Sequence, residues 1–359
     1  MRKLSEILAD ILREAGLTAI RLDKTTLSKL RDSKVDYLQW LAVLLLTGKV
    51  LLCREEGLSA TIYEKHGIRL MYGQGQEQYS TLALWYTHSD RCRENFTEGI
   101  VKKLREKAHD LSKKVLFIID LSFWHEHTEI EKNELIEQIV LTIKTIRSYL
   151  YDYSLAITSA DSEFMKYFEN ATKGMKYDIL ITSESLRDFI KKLFKFNKYV
   201  RIAVLDPEGD NVLTDADVRS YNVYILGGII DKERVDKFGT FRLYNLHRLW
   251  ELNIPRFRIA LDGSIIGVPD RINKIVNIIL MVLFDNYTLK DAIVSQQSKR
   301  DRIYRWHYEI QKYSKKVLSE GKVRNIVTRA FIEELRRKYP LDDKSIEKVL
   351  KSLNVVIVE

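Results

Sequence analysis

The sequence predicts an α/β fold built around a parallel β-sheet, and three observations support this. KVLFIIDLS, at residues 114–122, is a continuous apolar run, which is typical of a strand buried on both faces. Strand-like and helical segments then alternate about six times as far as residue 286. Three of the strands end in polar loops, LDPEG, GGIID and ALDGS. Parallel sheets bind ligands beyond the carboxyl ends of their strands, so these loops are candidate binding segments.

The remaining elements of this sheet follow in chain order. A long helix is predicted over about 130–150, where apolar residues recur at helical spacing from Ile136 to Leu150. The next strands are predicted in YSLAITS, YDILITSES, YVRIAVLDPEGD, NVYILGGIID and PRFRIALDG, at residues 153–159, 177–185, 199–210, 222–231 and 255–263. Further helices are predicted over 185–195, about 243–252, and 271–286.

Two smaller domains are predicted to flank residues 86–289. Residues 1–85 combine amphipathic helices with strand-like runs such as VLLCREEG, which predicts a small α+β domain. Residues 290–359 have their own charge and helical period, which predicts a basic, helical C-terminal domain.

The basic charge is concentrated in the C-terminal part of the chain. The formal net charge is +9, and residues 290–338 contain 14 Lys and Arg against 6 Asp and Glu. In KRDRIYRWHYEIQKYSKK, at residues 299–316, aromatic side chains alternate with cations, which favours contact with phosphates and unpaired bases. The alternative is a solvated helix with an aromatic packing stripe. The candidate RNA-binding residues are Arg300, Arg302, Arg305, Trp306, Lys312, Lys315 and Lys316.

Several common functional motifs are absent from the sequence. It contains no GxGxxG after the first sheet strand, no GxxxxGK[ST], no GxSxG and no HExxH. WHEH, at residues 124–127, lacks further ligands nearby and is interpreted as a surface loop, so no metal is expected.

Other features predict a soluble cytoplasmic protein with no membrane contact. Cys53 and Cys92 have no metal-ligand spacing and are interpreted as small buried or half-buried thiols. The first helix carries both charge signs, unlike a signal peptide. The longest apolar runs, such as IILMVLF, are far shorter than the roughly 20 residues that span a bilayer.

Three motifs resemble one known family. LDPEGDNVLTDADV (205–218), VYILGGIIDKE (223–233) and FIIDLSF (117–123) are similar to motifs of the archaeal SPOUT-class tRNA purine-9 N1-methyltransferases. The resemblance covers about residues 85–290. It implies a parallel sheet with a C-terminal trefoil knot, S-adenosylmethionine as methyl donor with S-adenosylhomocysteine as product, tRNA as substrate, and a monomer. One departure is Trp124 and His125, where eukaryotic relatives often carry acidic residues.

The resemblance also implies where the donor binds. In this family three knot loops hold the donor, mostly through backbone groups, and small side chains let the backbone approach a ligand. The cofactor-binding residues implied for this chain are Leu205, Leu226, Gly227, Gly228, Asp231, Leu261, Gly263, Ile266, Val268, Arg271 and Ile272.

The resemblance makes Asp231 the candidate general base. N1 of guanine carries a proton that must leave, whereas N1 of adenine has a free lone pair, so for adenine the carboxylate only orients the base or stabilises charge. The alternative is that Asp231 is the N-cap of a helix in KERVDKF. Asp120 and Asp206 are second candidates, although aspartates at strand ends often only cap amides. Arg256, Arg258 and Arg271 are near these loops and are candidates for phosphate contact or simple surface charges.

Three functions stay open at this point. The first is N1-methylation of the purine at tRNA position 9, with adenine, guanine or both as target. The second is methylation of another RNA site by a SPOUT enzyme, and the third is a non-catalytic RNA-binding protein.

Overall fold

The structure, a computed structural model, describes residues 1–230, 238–319 and 322–359. The described chain divides into two compact units. The first unit comprises residues 1–203 and 221–254, and the second comprises residues 204–220 and 255–359. The domain boundaries placed after residues 85 and 289 from the sequence stay a prediction.

Residues 1–85 contain both helices and strands, as predicted. Their elements are α1 (Leu4–Glu14), β1 (Ala19–Leu22), α2 (Lys24–Ser33), α3 (Tyr37–Leu46), β2 (Val50–Lys65) and β3 (Ile68–Trp85). β2 and β3 pair antiparallel, and β1 pairs with β3 in parallel, which gives the sheet order β1-β3-β2. Leu4, Leu8 and Leu12 recur at helical spacing on α1 and are fully buried, so the apolar stripe forms part of the core.

The prediction of free thiols is wrong, because Cys53 and Cys92 form a disulfide. Cys53 lies on β2, and an antiparallel bridge between Cys53 and Asn95 brings the segment after β3 alongside this strand. The two Cα atoms are therefore 5.5 Å apart, within the range that a disulfide spans. The 39-residue separation in sequence gave no sign of this contact.

The central part of the chain alternates strands and helices, as predicted. Its elements are α4 (Thr97–Ser112), β4 (Leu116–Asp120), α5 (Glu129–Arg147), β5 (Leu155–Thr158), α6 (Ser162–Ala171), β6 (Leu180–Ile181), α7 (Leu186–Phe196), β7 (Ile202–Leu205), β8 (Asn211–Val212), α8 (Asp215–Ser220), β9 (Val223–Gly227), α9 (Gly239–Leu246), β10 (Arg256–Arg258) and α10 (Ile272–Phe284).

The central strands form a seven-stranded sheet with the order β6-β5-β4-β9-β7-β10-β8. The pairs of β4 with β5 and β9, of β5 with β6, and of β10 with β7 and β8 are parallel, which confirms the predicted α/β class. All residues of β5 are buried, and β4 is buried from Phe117 to Asp120. Their continuous apolar runs therefore mark strands covered on both faces.

The C-terminal segment, predicted to be a helical domain, contains four helices and also a three-stranded sheet among its described residues. The elements are α11 (Leu289–Gln296), α12 (Lys299–Tyr313), β11 (Lys315–Ser319), β12 (Lys322–Thr328), α13 (Arg329–Lys338), α14 (Asp343–Ser352) and β13 (Val355–Val358). β11 and β12 pair antiparallel and β13 adds in parallel to β12. The β-branched run VVIV suits a strand, and the lysines of β11 and β12 obscured their alternation of polar and apolar residues.

Among the described residues, no helix combines the length and apolarity that crossing a bilayer requires.

Candidate active site

The loop after β9 begins with two glycines whose surroundings differ. The Gly228 N–H donates to the Asp120 carbonyl oxygen at 2.8 Å. A Cβ added to Gly228 would lie 2.7 Å from that oxygen, and one added to Gly227 would meet only side-chain atoms, at 3.0 Å and beyond. Gly228 is therefore required by a close approach of two backbones, whereas a side chain at Gly227 meets atoms that can move.

The same loop is held a second time by a buried histidine. The Ile230 N–H donates to Nε2 of His127 at 3.0 Å, and Nδ1 of His127 lies 3.3 Å from the Trp124 carbonyl oxygen. A carbonyl oxygen only accepts, so Nδ1 carries the proton and Nε2 is the acceptor of a neutral imidazole. This pair of contacts fixes the backbone up to Ile230. Asp231, and the helix start proposed as its alternative role, lie outside the described residues.

Asp120 is the centre of a buried polar network. The hydroxyls of Thr158 and Ser159 donate to its carboxylate at 2.8 and 2.7 Å, and Nε2 of His247 lies 3.3 Å away. Nε2 of His247 also lies 2.8 Å from the Ser122 hydroxyl. Burial opposes ionisation of Asp120, but hydrogen bonds from His247, Ser122 and Ser159 outweigh it and hold the pKa of Asp120 below its ordinary value. The carboxylate therefore holds the ends of β4, β5 and α9 together.

In the second unit, Asp206 has a structural partner. Asp206 is 2% exposed, and Nη1 of Arg256 donates to its carboxylate at 2.9 Å. The other terminal nitrogen of Arg256 donates to Asp210, and Nη1 of Arg258 donates to the Gly209 carbonyl oxygen. These contacts tie the LDPEGD loop to β10. The structure thus gives Arg256 and Arg258 loop-holding contacts rather than the free surface position considered from the sequence.

The segment from Leu261 to Ile272 begins with a tight turn. Leu261 and Ser264 exchange two backbone hydrogen bonds, and Asp262 and Gly263 between them have φ values of 49° and 82°. Successive positive φ values characterise the type I′ turn, for which glycine is favoured. Beyond the turn, the backbone at Gly267 lies close to Asp301 and Arg305 of α12.

Arg305 holds this segment from α12. Its guanidinium donates to the Leu261 carbonyl oxygen at 2.7 Å and to the Ile266 carbonyl oxygen at 3.2 Å, and it forms an ion pair with Glu309. A Cβ on Gly267 would lie 2.8 Å from Cβ of Arg305, so glycine is needed where the backbone crosses the helix. Arg305 therefore shapes the loop that was predicted to bind the donor.

Two predicted RNA-binding residues are buried. Arg305 and Trp306 are each 0% exposed, and the Trp306 indole donates to the Tyr339 carbonyl oxygen at 2.8 Å. Neither side chain reaches the surface, so their assignment as RNA contacts is wrong. The helical period of α12 places these two residues on the side that faces the core. For Trp306, the structure therefore agrees with the alternative considered from the sequence, an aromatic stripe that packs inside the protein. Arg300, Lys312, Lys315 and Lys316 are exposed, and Arg302 is half-buried.

The WHEH motif is only partly a surface loop. His125 is exposed, but Trp124 and His127 are buried, which corrects the expectation for the motif as a whole. His125 lies near Asp161 and Glu163, a group with metal-ligand atoms. However, Glu163 already accepts hydrogen bonds from Lys132 and the Trp124 indole. The ammonium of Lys132 therefore already neutralises one of the two carboxylates of this group.

Sequence reasoning missed His127 and His247. Nothing in the sequence relates either residue to the glycine loop. The only available signal was the apolar Trp124 three residues before His127, which is typical of a partly buried turn.

Comparisons with known proteins agree with the motifs. The family model described as tRNA (guanine(9)-N(1))-methyltransferase TRM10/TRM10A matches residues 82–245. The tRNA (adenine(9)-N1)-methyltransferase of Sulfolobus acidocaldarius is 33% identical over 317 residues, which covers 88% of this chain and 92% of the relative. The tRNA (guanine(9)-/adenine(9)-N1)-methyltransferase of Thermococcus kodakarensis is 28% identical over 361 residues, covering 100% of this chain and 90% of the relative.

A solved structure is similar over nearly the whole chain. The crystal structure of Sulfolobus acidocaldarius Trm10 in complex with S-adenosylhomocysteine has a TM-score of 0.69 and 27% sequence identity to this chain. The alignment covers 98% of this chain and 100% of that chain.

Proposed function

Because the chain belongs to the Trm10 family of tRNA methyltransferases, we propose that it transfers the methyl group of S-adenosylmethionine to N1 of the purine at position 9 of tRNA. The observation that carries this proposal is the match to the Sulfolobus enzyme over 88% of the chain. Both named relatives act on position 9, and one of them takes both purines.

The test uses two tRNA transcripts that differ only in having adenine or guanine at position 9. We expect label from the donor to enter N1 of position 9 in the adenine transcript, and also in the guanine transcript if the chain accepts both purines. Label at another nucleotide would favour a different RNA site. Binding of the transcripts with no methyl transfer and no binding of S-adenosylhomocysteine in calorimetry would favour a non-catalytic RNA-binding protein.

The proposal includes the architecture and setting that the family resemblance implies. These are a SPOUT-type sheet with a C-terminal trefoil knot, a monomeric state and a cytoplasmic location. Support for the sheet comes from its parallel strands and from the similarity to the Sulfolobus structure. The three predicted domains, with the first and third contacting tRNA, remain part of the same proposal.

We propose that the glycine loop holds the donor through its backbone. S-adenosylmethionine, when bound, supplies a methyl group on a positively charged sulfur. The fit rests on Gly227, which leaves its backbone free of a side chain in a loop where even a Cβ would press on the Ile229 and Thr240 side chains, at 3.0 and 3.1 Å. Leu205 and the segment from Leu261 to Ile272 are the other proposed donor contacts, and each is held by its own partners in the second unit.

Alanine substitutions at Gly227 and Gly228 are expected to have different effects. Gly228→Ala places a methyl group against a backbone carbonyl that cannot retreat without disturbing β4, so we expect a loss of about 1–3 kcal/mol in the free energy of unfolding. Gly227→Ala should leave stability within about 1 kcal/mol, because the Ile229 and Thr240 side chains that it meets can shift. It should weaken binding of S-adenosylhomocysteine about tenfold, because these shifts disturb the proposed donor loop. Thermal unfolding and calorimetry measure the two effects. A Gly228→Ala variant with unchanged melting would contradict the close-contact argument.

His127 and Asp120 are proposed to position the loop that leads to Asp231. His127→Phe removes the acceptor of the Ile230 N–H, and an unpaired buried donor is costly. We expect methyl transfer at saturating donor and tRNA to slow about tenfold. Binding of S-adenosylhomocysteine should change little, because Gly228 keeps its bond to Asp120. His127→Gln is the matched control, since its amide oxygen restores an acceptor. Equal rates for the Phe and Gln variants would argue against this role.

A further inference from the structure

We propose that a second surface, on the first unit, stacks against unpaired nucleobases of the tRNA. It consists of the exposed residues Phe194, Lys195, Phe196, Lys198, Tyr199 and Arg201, at the end of α7 and in the loop before β7, and we call it the α7 surface. This inference rests on the proposed function only for the identity of the RNA.

The aromatic rings of the α7 surface are unusually exposed. Phe196 and Tyr199 are 83% and 85% exposed, more than any other large apolar side chain in the described part of the chain. Phe194, two residues before Phe196, is 37% exposed. Leu186, Phe189 and Ile190 are buried in the first part of α7. Phe194 and Phe196 continue the same face at i+4 and i+7 but are exposed, so the helix end that carries them extends past the packed core. Exposed aromatic side chains grouped in this way indicate an interaction site.

The positive charge around these rings favours a negatively charged partner. Residues 187–201 contain six Lys and Arg and one Asp. Arg187 pairs with Glu251, Lys191 with Asp188 and Lys192 with Glu184. In the described part of the chain, no acidic group forms an ion pair with Lys195, Lys198 or Arg201. Unpaired cations between exposed rings match the pattern of proteins that bind single-stranded nucleic acid, where bases stack and phosphates contact the cations.

Side-chain hydrogen bonds hold the loop that carries Tyr199 in the absence of any ligand. The Asn197 side chain accepts a hydrogen bond from the Tyr199 N–H at 2.9 Å. The Asn222 side chain donates to the Tyr199 carbonyl oxygen at 3.3 Å and accepts from the Arg201 N–H at 2.8 Å. The backbone is thus held on both sides of the ring. A ring displayed on a held backbone loses less entropy on binding than one on an unsupported loop.

Binding of a tRNA transcript in the presence of S-adenosylhomocysteine tests this surface without involving catalysis. The variant F196A/Y199A removes the rings and keeps every charge. We expect its tRNA affinity to fall about tenfold or more at each salt concentration, with an unchanged salt dependence, because stacking releases no counterions. F196L/Y199L keeps apolar bulk without a ring and should bind nearly as weakly.

The charged residues have a different expected signature. K195A/K198A should weaken binding and reduce the slope of log affinity against log salt by about 1.5. Each phosphate contact contributes roughly 0.7–0.9 to that slope, and this variant removes two. K166A/K173A is the matched control, because Lys166 and Lys173 are also exposed lysines of the first unit and are not flanked by exposed rings. This control should bind tRNA like the wild type.

Three outcomes would overturn the proposal. Wild-type affinity in F196A/Y199A removes the surface from RNA binding. Recovery in F196L/Y199L would indicate an apolar contact instead of stacking. Loss of self-association in F196A/Y199A, measured by sedimentation with tRNA binding intact, would make the surface a protein interface. Failure of the proposed function is seen separately, as a wild-type protein that binds tRNA but transfers no methyl group.

Discussion

Asp231→Asn is expected to slow methylation of the guanine-9 transcript about a hundredfold or more, the usual contribution of a positioned general base. The guanine N1 proton must be accepted during transfer, and an amide cannot accept it as a carboxylate does. The adenine-9 transcript should slow less than about tenfold, because its N1 lone pair is already free and only orientation or charge stabilisation is lost. Single-turnover rates at saturating tRNA and donor measure both effects.

The same substitution separates catalysis from helix capping. Asparagine caps helices as well as aspartate does, so Asp231→Asn keeps any cap that Asp231 provides. Binding of S-adenosylhomocysteine and the melting temperature should therefore stay close to wild type. An unchanged single-turnover rate on guanine would remove Asp231 from the mechanism. An equal loss on both purines would indicate that the carboxylate positions the base rather than accepting its proton.

Arg305→Ala is expected to lower the free energy of unfolding by about 3–5 kcal/mol, the cost of removing one partner of a buried ion pair. Glu309 would lose its cation, and the Leu261 and Ile266 carbonyl oxygens would lose their donor. Binding of S-adenosylhomocysteine should weaken in parallel, because these carbonyls belong to the proposed donor segment. Chemical unfolding and calorimetry provide the two measurements.

Arg300→Ala on the same helix is the matched control for Arg305. Arg300 is exposed and lies against Tyr304, so its removal should leave the melting temperature unchanged and weaken only tRNA binding. Arg305→Lys should be intermediate, since one ammonium cannot replace a planar guanidinium with several directed donors. Loss of tRNA affinity in Arg305→Ala with normal stability would instead restore the RNA-binding role predicted from the sequence.

The strands of the fold could be predicted from sequence because they are buried on both faces. KVLFIIDLS and NVYILGGIID have no polar interruption before their ends, and both became strands of the parallel sheet. The C-terminal strands could not be predicted in the same way. β11 is exposed at Lys315 and Lys316, so charged residues occupy positions that a buried strand would fill with apolar ones.

Local motifs are the part of the candidate site that the sequence can indicate. The order of the LDPEG, GGIID and ALDGS motifs along the chain predicts that Gly227 and Gly228 belong to the donor loops. The residues that hold these loops were not predictable, because each contact joins distant positions. His127 reaches Ile230 across 103 residues, and Arg305 reaches Leu261 across 44. Arg305 also shows that a helical charge pattern alone does not reveal which cations are buried.

Asp120 holds the candidate site through both its backbone and its side chain. Its carbonyl oxygen receives the Gly228 N–H, and its carboxylate lies against His247 at the end of α9. Both ends of the stretch from Gly228 to His247 are therefore attached to a single residue. We expect a natural sequence that replaces Asp120 or His247 to change the other residue as well, because either one alone leaves a buried polar group without its partner.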